Sequence, residues 1–339
     1  MDDSTNASRT DRAAPPSPLR DGQGRAISYL RLSLTDRCNF RCSYCSPSVE
    51  ERGAEDALTR PEVARLVAVF ARLGVRRVRL TGGEPTLRRD LLEIVRDVRA
   101  TSGIEEVALT TNGLFLDRMA GPLAEAGVSR LNISLDTLDP EKLQRISGRA
   151  AALEHIVAGI GAASRAGFAS VKLNVVVMRG ENDAELGELT RWAWRAGVTP
   201  RFIELMPFGR GEPVATAEVK ALLEAQGIRL EPDGSRGWGP AYHMRGTSGD
   251  AHGIVTGLVG FIGAMTENFC DGCNRVRVGA DGSLRACLGG RDKLALKDLL
   301  RAGATDDELA AAIRKALAGK HERHDMAAGG LLPMIGTGG

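Results

Sequence analysis

Between residues 27 and 205 the chain alternates between two hydrophobic periods, and no other feature narrows its possible folds as much. Strand-like runs lie at "ISYLRLSLT" (27–35), "VRRVRLTG" (75–82), "EEVALTT" (105–111), "RLNISLD" (130–136), "VKLNVVVM" (171–178) and "RFIEL" (201–205). Helical patterns at 60–74, 89–100, 117–126, 153–166 and 183–196 separate them, the first beginning after the cap-like Thr59. Repeated β/α units require parallel strands with right-handed crossovers, curved as a partial barrel or doubly wound. The fold class expected is α/β, a partial (β/α)6 TIM-like parallel barrel.

After about residue 227 the pattern changes to short strands, "IRLEP", "AYHMRG" and "GIVTGLVGF", then a hairpin-like "RVRVGADGSLRACL" and two amphipathic helices at 293–302 and 306–318. The expected division is a disordered leader at 1–22, a barrel at 23–227, a mixed region at 228–325 closing over the barrel rim, and a Gly-rich tail at 326–339. The leader has no apolar core of a signal peptide, and no run approaches the roughly 18 apolar residues of a membrane span. A soluble, cytoplasmic protein is expected.

In parallel β/α sheets chemistry gathers at the carboxyl ends of the strands. There this chain places "TDRCNFRCSYCSP" after the first strand, "GGEP" after the second, "TTNG" after the third, Ser134 and Asp136 at the fourth, and "MPFG" after the sixth. The six cysteines form two trios, Cys38/Cys42/Cys45 and Cys270/Cys273/Cys287. Such spacing favours metal over disulfides. A structural zinc site wants four ligands, so each trio would need to borrow one, with His243 or His252 available to the second. Alternatively, three thiolates hold a four-iron cluster by three corners and leave one iron open.

Arg275 and Arg277 alternate on the hairpin strand and point the same way, either as a solvated charged face or as a clamp for a polyanion. Arg31 and Arg79 lie inside strands, where a cation is costly unless it meets an anion or water. With 45 basic against 43 acidic residues the net charge is only +2, so any anion site must be a local cluster.

Cys-x3-Cys-x2-Cys after strand one of a β/α series resembles the radical S-adenosylmethionine (SAM) superfamily. The resemblance implies a [4Fe-4S] cluster on the first trio and SAM bound at its open iron, with Tyr44 against the adenine and Gly82, Gly83, Glu84 and Pro85 along the methionine part. Taken with "RLTGGEPTLRRD", "LNISLDTLDPEKLQRISG", "FIELMPFG" and "FCDGCNRVRVGADGSLRACL", the chain is similar to the GTP 3′,8-cyclase family of molybdenum cofactor biosynthesis. That likeness implies a second [4Fe-4S] cluster on Cys270, Cys273 and Cys287, with GTP between the two. It further implies GTP contacts at Arg31, Arg79, Thr110, Lys172, Arg275 and Arg277, and SAM contacts at Gly83, Ser134 and Met206. Arg275, Arg277, Gly338 and Gly339 would act in the radical step, in which a 5′-deoxyadenosyl radical takes the ribose 3′ hydrogen and the sugar carbon attacks C8. Read from the residues alone, Lys172 is equally a solvated lysine and Met206 a core residue. Implied partners are a low-potential electron donor, the downstream cyclic pyranopterin monophosphate synthase and a possible homodimer partner.

Three positions depart from the family pattern: Ser46 before Pro47, Arg77 where lysine is common, and Thr337 in the terminal Thr-Gly-Gly. A peptide maturase with an auxiliary cluster is the nearest rival, but such enzymes carry more C-terminal cysteines. A zinc-binding nucleic-acid module would need the basic footprint and aromatic surface that +2 net charge and 4% aromatic content deny it. The Gly-Gly ending suits a ubiquitin-like modifier, whose small size this chain exceeds.

Overall fold

The barrel strands turn apolar residues outward and mostly polar residues inward, with Val176 and Ile203 as apolar exceptions on the inner face. In the computed structural model, which describes residues 18–45, 57–236, 239–324 and 326, β1 (Tyr29–Ser33) buries Leu30 and Leu32 completely beneath the helices. Its alternate residues Tyr29 and Arg31 line an internal cavity. The same holds in β2 (Arg77–Thr81), where Val78 and Leu80 face the helices and Arg79 the cavity. β3 (Glu106–Thr111), β4 (Arg130–Ser134), β5 (Ser170–Val177) and β6 (Thr199–Glu204) continue the series. Strand alternation therefore puts the hydrophobic core between sheet and helices and leaves the concave face mostly polar.

The helices are α1 (Arg60–Arg72), α2 (Leu91–Ala100), α3 (Leu116–Ala126), α4 (Pro140–Ser147), α5 (Leu153–Arg165), α6 (Leu186–Arg195) and α7 (Thr216–Ala225). Thr59 begins α1 with a capping box: its side chain accepts from Glu62 N, and the Glu62 carboxylate accepts from Thr59 N. Two helices were not expected from the sequence. α4 starts at Asp139, whose carboxylate accepts from Glu141 N at 2.8 Å and Lys142 N at 3.0 Å, and α7 follows β6.

The C-terminal strands do not form a second sheet. β7 (Arg229–Arg236), β8 (Tyr242–Asp250), β9 (Gly253–Ile262), β10 (Arg275–Val278), β11 (Ser283–Arg285) and β12 (Leu294–Ala295) extend the barrel sheet at both edges. The resulting order is β12-β11-β10-β1-β2-β3-β4-β5-β6-β9-β8-β7 among the described residues. β10 runs parallel to β1 and β9 parallel to β6. The region from 228 thus walls the barrel from both sides, and α8 (Leu296–Arg301) and α9 (Asp306–Ala318) complete it.

Residues 18–22 fall inside the expected leader yet are ordered here: Leu19 and Asp21 are buried, and Gly22 N donates to Leu317 O at 3.2 Å. Ser46, Pro47, Thr337, Gly338 and Gly339 lie outside the described residues.

Candidate active site

One cavity of about 310 Å³ gathers both cysteine trios and most residues singled out in the sequence. Its wall includes all six cysteines, Tyr44, Gly82, Gly83, Glu84 and Ser134. Met206, Arg31, Arg79, Thr110, Arg275 and Arg277 line it too, whereas Pro85 does not. Lys172 is not in that wall. It pairs in register with Asn132, and burial, with Arg201, Arg130 and Arg79 nearby, pushes its pKa down to about 8.

The first cysteine loop is gripped by three neighbouring segments. α4's end accepts from it, Arg41 N to Ser147 O at 2.7 Å and Ser43 N to Ile146 O at 2.9 Å, so the unexpected helix is a brace for the loop. The "GGEP" turn presses on it so closely that a Cβ on Gly83 would sit 2.2 Å from Arg37 O. The "MPFG" turn does the same, where a Cβ on Gly209 would lie 2.4 Å from Ser43 O. Glu84, 1% exposed, fixes the rim by accepting from Thr86 N at 3.0 Å, Thr111 Oγ1 at 2.8 Å and Asn112 N at 2.7 Å. Burial nonetheless keeps its pKa raised.

The second trio is brought to the same cavity from the far edge of the sheet. Glu204, at the end of β6, accepts from Thr216 N and Met265 N at 2.7 Å each and from Thr266 N at 2.9 Å. These bonds outweigh the effect of burial and leave its pKa lowered. They hold the segment leading to Cys270 against the barrel. Arg275 lies over Phe269 at 4.7 Å, which orients its guanidinium beside Cys273.

The two trios sit in different fields. Burial raises the Cys42 thiol well above its ordinary value, and Asp136, Cys45 and Cys38 add to that. Burial works against the Cys273 thiolate too, but Arg275 and Lys320 overcome it and bring the pKa to about 7. Among the described residues no three His, Cys, Asp or Glu side chains converge on a single ion. Neither His243 nor His252, the candidate zinc partners, lines the cavity; His324 does. Three cysteines set apart on one rim suit a larger iron–sulfur group held by thiolates at separate corners better than a single ion.

Between the trios runs a row of guanidinium groups. Arg277, Arg31 and Arg79 stand side by side in register across β10, β1 and β2. Like charges directly opposite one another on a sheet are unfavourable. Arg79 donates to Tyr29 Oη and to Thr110 Oγ1 at 3.2 Å. Asn132, its amide oxygen turned toward both, accepts from Arg79 Nη1 and Arg201 Nη2 at 2.6 Å each. Arg201 Nε also donates to Asn174 Oδ1 at 2.9 Å. Among the described residues these partners are all neutral, whereas Arg77 and Arg130, closer to the strand starts, share Glu106 at 3.7 and 2.6 Å.

Burial and Arg79, against the pull of Tyr29, push Arg201 down to about 9, and burial and Arg275 push Arg277 to about 10. Arginine does not give up its proton in water at ordinary pH. The downward push reflects burial and the crowding of like charges, both of which a polyphosphate would offset.

The sequence reading missed Arg201, Tyr29, Asn132 and Asn174 as site residues, and it placed Asp136 at the strand-end rim without giving it a role. Arg201 carries the same signal as Arg31 and Arg79, an arginine inside an apolar strand. Asp136 accepts from Tyr44 Oη and Val176 N at 2.8 Å each, and burial, against those bonds, lifts its pKa to about 6.

Two family models cover the chain: the Radical SAM superfamily matches residues 32–193 and Molybdenum Cofactor Synthesis C matches 198–326. The chain is 44% identical to a GTP 3′,8-cyclase of Heliobacterium modesticaldum, over 90% of this chain and 94% of that one. It is 43% identical to a GTP 3′,8-cyclase of Marinobacter nauticus, over 93% and 96%. Among solved structures, Streptococcus suis SuiB bound to S-adenosylmethionine matches with a TM-score of 0.59 at 16% identity, over 88% of this chain and 73% of that one, a likeness of fold alone. With the two cysteine trios and the arginine row lining one cavity, these matches identify the chain as a radical SAM enzyme belonging to the GTP 3′,8-cyclase family.

Proposed function

We propose that this chain converts GTP to (8S)-3′,8-cyclo-7,8-dihydroguanosine 5′-triphosphate, the first step of molybdenum cofactor biosynthesis. The observation that carries the reading is the in-register row Arg277–Arg31–Arg79, joined by Arg201, set between two three-cysteine sites in one cavity. Cys38, Cys42 and Cys45 would hold one [4Fe-4S] cluster, and Cys270, Cys273 and Cys287 a second. When bound at the first cluster, S-adenosylmethionine supplies a 5′-deoxyadenosyl radical, the hydrogen-abstracting agent of this chemistry.

The chain's own residues bind, orient and exclude water. Tyr44, held by Asp136, gives the adenine a fixed wall beside Cys45, and Gly82 and Gly83 let the cofactor's methionine part approach the backbone. Ser134 and Met206 line the same half of the cavity. Arg31, Arg79, Thr110 and Arg201 take the triphosphate, where guanidinium forks match phosphate oxygens. Arg275 and Arg277 hold the substrate against the second cluster. Lys172, outside the wall, adds positive potential to the phosphate end. Gly338 and Gly339 belong to the tail that the family likeness brings to the radical step.

The reaction needs a low-potential electron donor, and its product passes to a cyclic pyranopterin monophosphate synthase. No helix among the described residues is long and apolar enough to cross a membrane. A cytoplasmic site of action suits six reduced cysteines. Self-association as a homodimer is part of the same reading.

The test is anaerobic reconstitution followed by an iron count and turnover. About eight irons are expected, four for each trio. Replacing Cys270, Cys273 and Cys287 with Ala should halve the iron and leave some reductive cleavage of S-adenosylmethionine, while replacing the first trio should abolish it. Equal cleavage by both triple variants contradicts the assignment.

A further inference from the structure

Behind the second trio, on the side away from the substrate cavity, lies a buried lysine that the proposed reaction does not use. Lys320, just beyond α9, is 3% exposed and does not line the cavity. Its ammonium donates to Arg275 O at 2.7 Å and to Cys273 Sγ at 3.3 Å. Asp21 Oδ2 stands 4.0 Å away and is shared with Arg25.

The rest of the arrangement fixes that ammonium in place. Asp21 accepts from Arg25 Nε at 2.7 Å and from the backbone N–H groups of Gln23 and Arg25 at 3.0 Å each. Arg25 in turn donates to the carbonyls of Cys270, His321 and Glu322, each at 2.8 Å. Gly22 lets the N-terminal turn close against α9, since a Cβ there would lie 2.1 Å from Ala318 O. The N-terminal turn and the segment after α9 are thus clasped together, and the clasp ends on a sulfur of the second trio. A lysine is costly to bury unless its charge is used, and here two of its donors go to the cysteine segment.

We propose that Lys320 is a positioning residue of the second iron–sulfur site, where its hydrogen bond to the Cys273 sulfur raises the reduction potential of the bound cluster. A hydrogen-bonded cation at a ligand sulfur stabilises the reduced, more negative state over the oxidised one. The first trio has a different neighbour, since Tyr44, next to Cys45, donates to the buried carboxylate of Asp136 at 2.8 Å. The chain therefore sets its two clusters at different potentials. This inference rests on the reading that Cys270, Cys273 and Cys287 hold a cluster.

The experiment is a redox titration of the anaerobically reconstituted full-length protein, followed by electron paramagnetic resonance. It is run in a background with Cys38, Cys42 and Cys45 replaced by Ala, so that only the second cluster is present. Without Lys320 changes, about four irons should bind in this background. Finding none overturns the underlying reading, and this inference with it. Lys320→Met should keep the iron and lower the midpoint by at least tenfold in the one-electron equilibrium constant, about 59 mV. Lys320→Arg, which keeps charge and donor, should restore most of the shift. In the converse background, with the second trio replaced, Lys320→Met should leave the first cluster's midpoint unmoved. A full complement of iron with an unchanged second midpoint overturns the proposal. If Lys320→Met fails to take up iron, Lys320→Gln is read by the same criterion.

Discussion

Arg201→Met should leave the stability of the substrate-free protein close to wild type while weakening its hold on GTP. Arg201 and Arg79 donate to the same Asn132 oxygen at 2.6 Å each, and no carboxylate pairs with either among the described residues. Two unit charges about 5 Å apart repel by about 3 kcal/mol at an effective dielectric of about 20. Methionine keeps the length of the side chain and removes that repulsion. Against the gain stand the lost guanidinium hydrogen bonds to Asn174 and Asn132, about 1.5 kcal/mol each at the lower end for a charged donor. The two effects nearly cancel, and since about 1 kcal/mol corresponds to a Tm change of only about 1.4 °C for a chain of this length, Tm should stay within about 2 °C of wild type. A charge-assisted phosphate contact contributes about 1.5–3 kcal/mol, so GTP affinity should fall roughly ten- to a hundredfold. Thermal unfolding with and without GTP measures both effects on the same sample. A Tm several degrees below wild type, together with an undiminished GTP-induced increase, would refute the reasoning and make Arg201 a structural residue.

Gly83→Ala should lose the iron of the first trio and retain that of the second, because the new Cβ would meet Arg37 O at 2.2 Å; an unchanged iron count would show that the loop can yield. Arg275→Ala and Arg277→Ala should each weaken GTP binding without loss of iron, and unaltered affinity in both returns them to a charged strand face. Asp136 has a folded pKa raised to about 6 from 3.8, chiefly by burial, so its contribution is fully present below 3.8 and lost as pH rises through 6. In cluster-free protein, wild type should therefore lose up to about 3 kcal/mol relative to Asp136→Asn between pH 4 and pH 7, and a pH-independent difference would rule this out.

The alternation of strand and helix was legible because each barrel strand is apolar on its outer face. The same alternation made Arg31 and Arg79 stand out, since a cation between buried leucines and valines must point at something else. Arg201 carried that signal and was passed over. α4 is only one helical step longer than two turns, yet its Asp139-Pro140 start was readable as a cap. What the sequence could not convey is the pairing of β10 with β1 and β9 with β6, which joins residues far apart in the chain and has no local signature. For the same reason the clasp from Asp21 and Arg25 to Lys320 was invisible, and residues 18–22 passed for part of the leader. Lys172 shows the opposite limit: strand position places it on the inner face, but only the fold shows that it stops short of the cavity wall.

The most direct test of the central claim follows one hydrogen. Reconstituted protein is given S-adenosylmethionine, a strong reductant and GTP carrying deuterium at ribose C3′, and both products are analysed by mass spectrometry. The account predicts deuterium in 5′-deoxyadenosine and its loss from C3′ of a cyclised nucleotide. Turnover that leaves the deuterium at C3′, or that forms unlabelled 5′-deoxyadenosine alone, would contradict it.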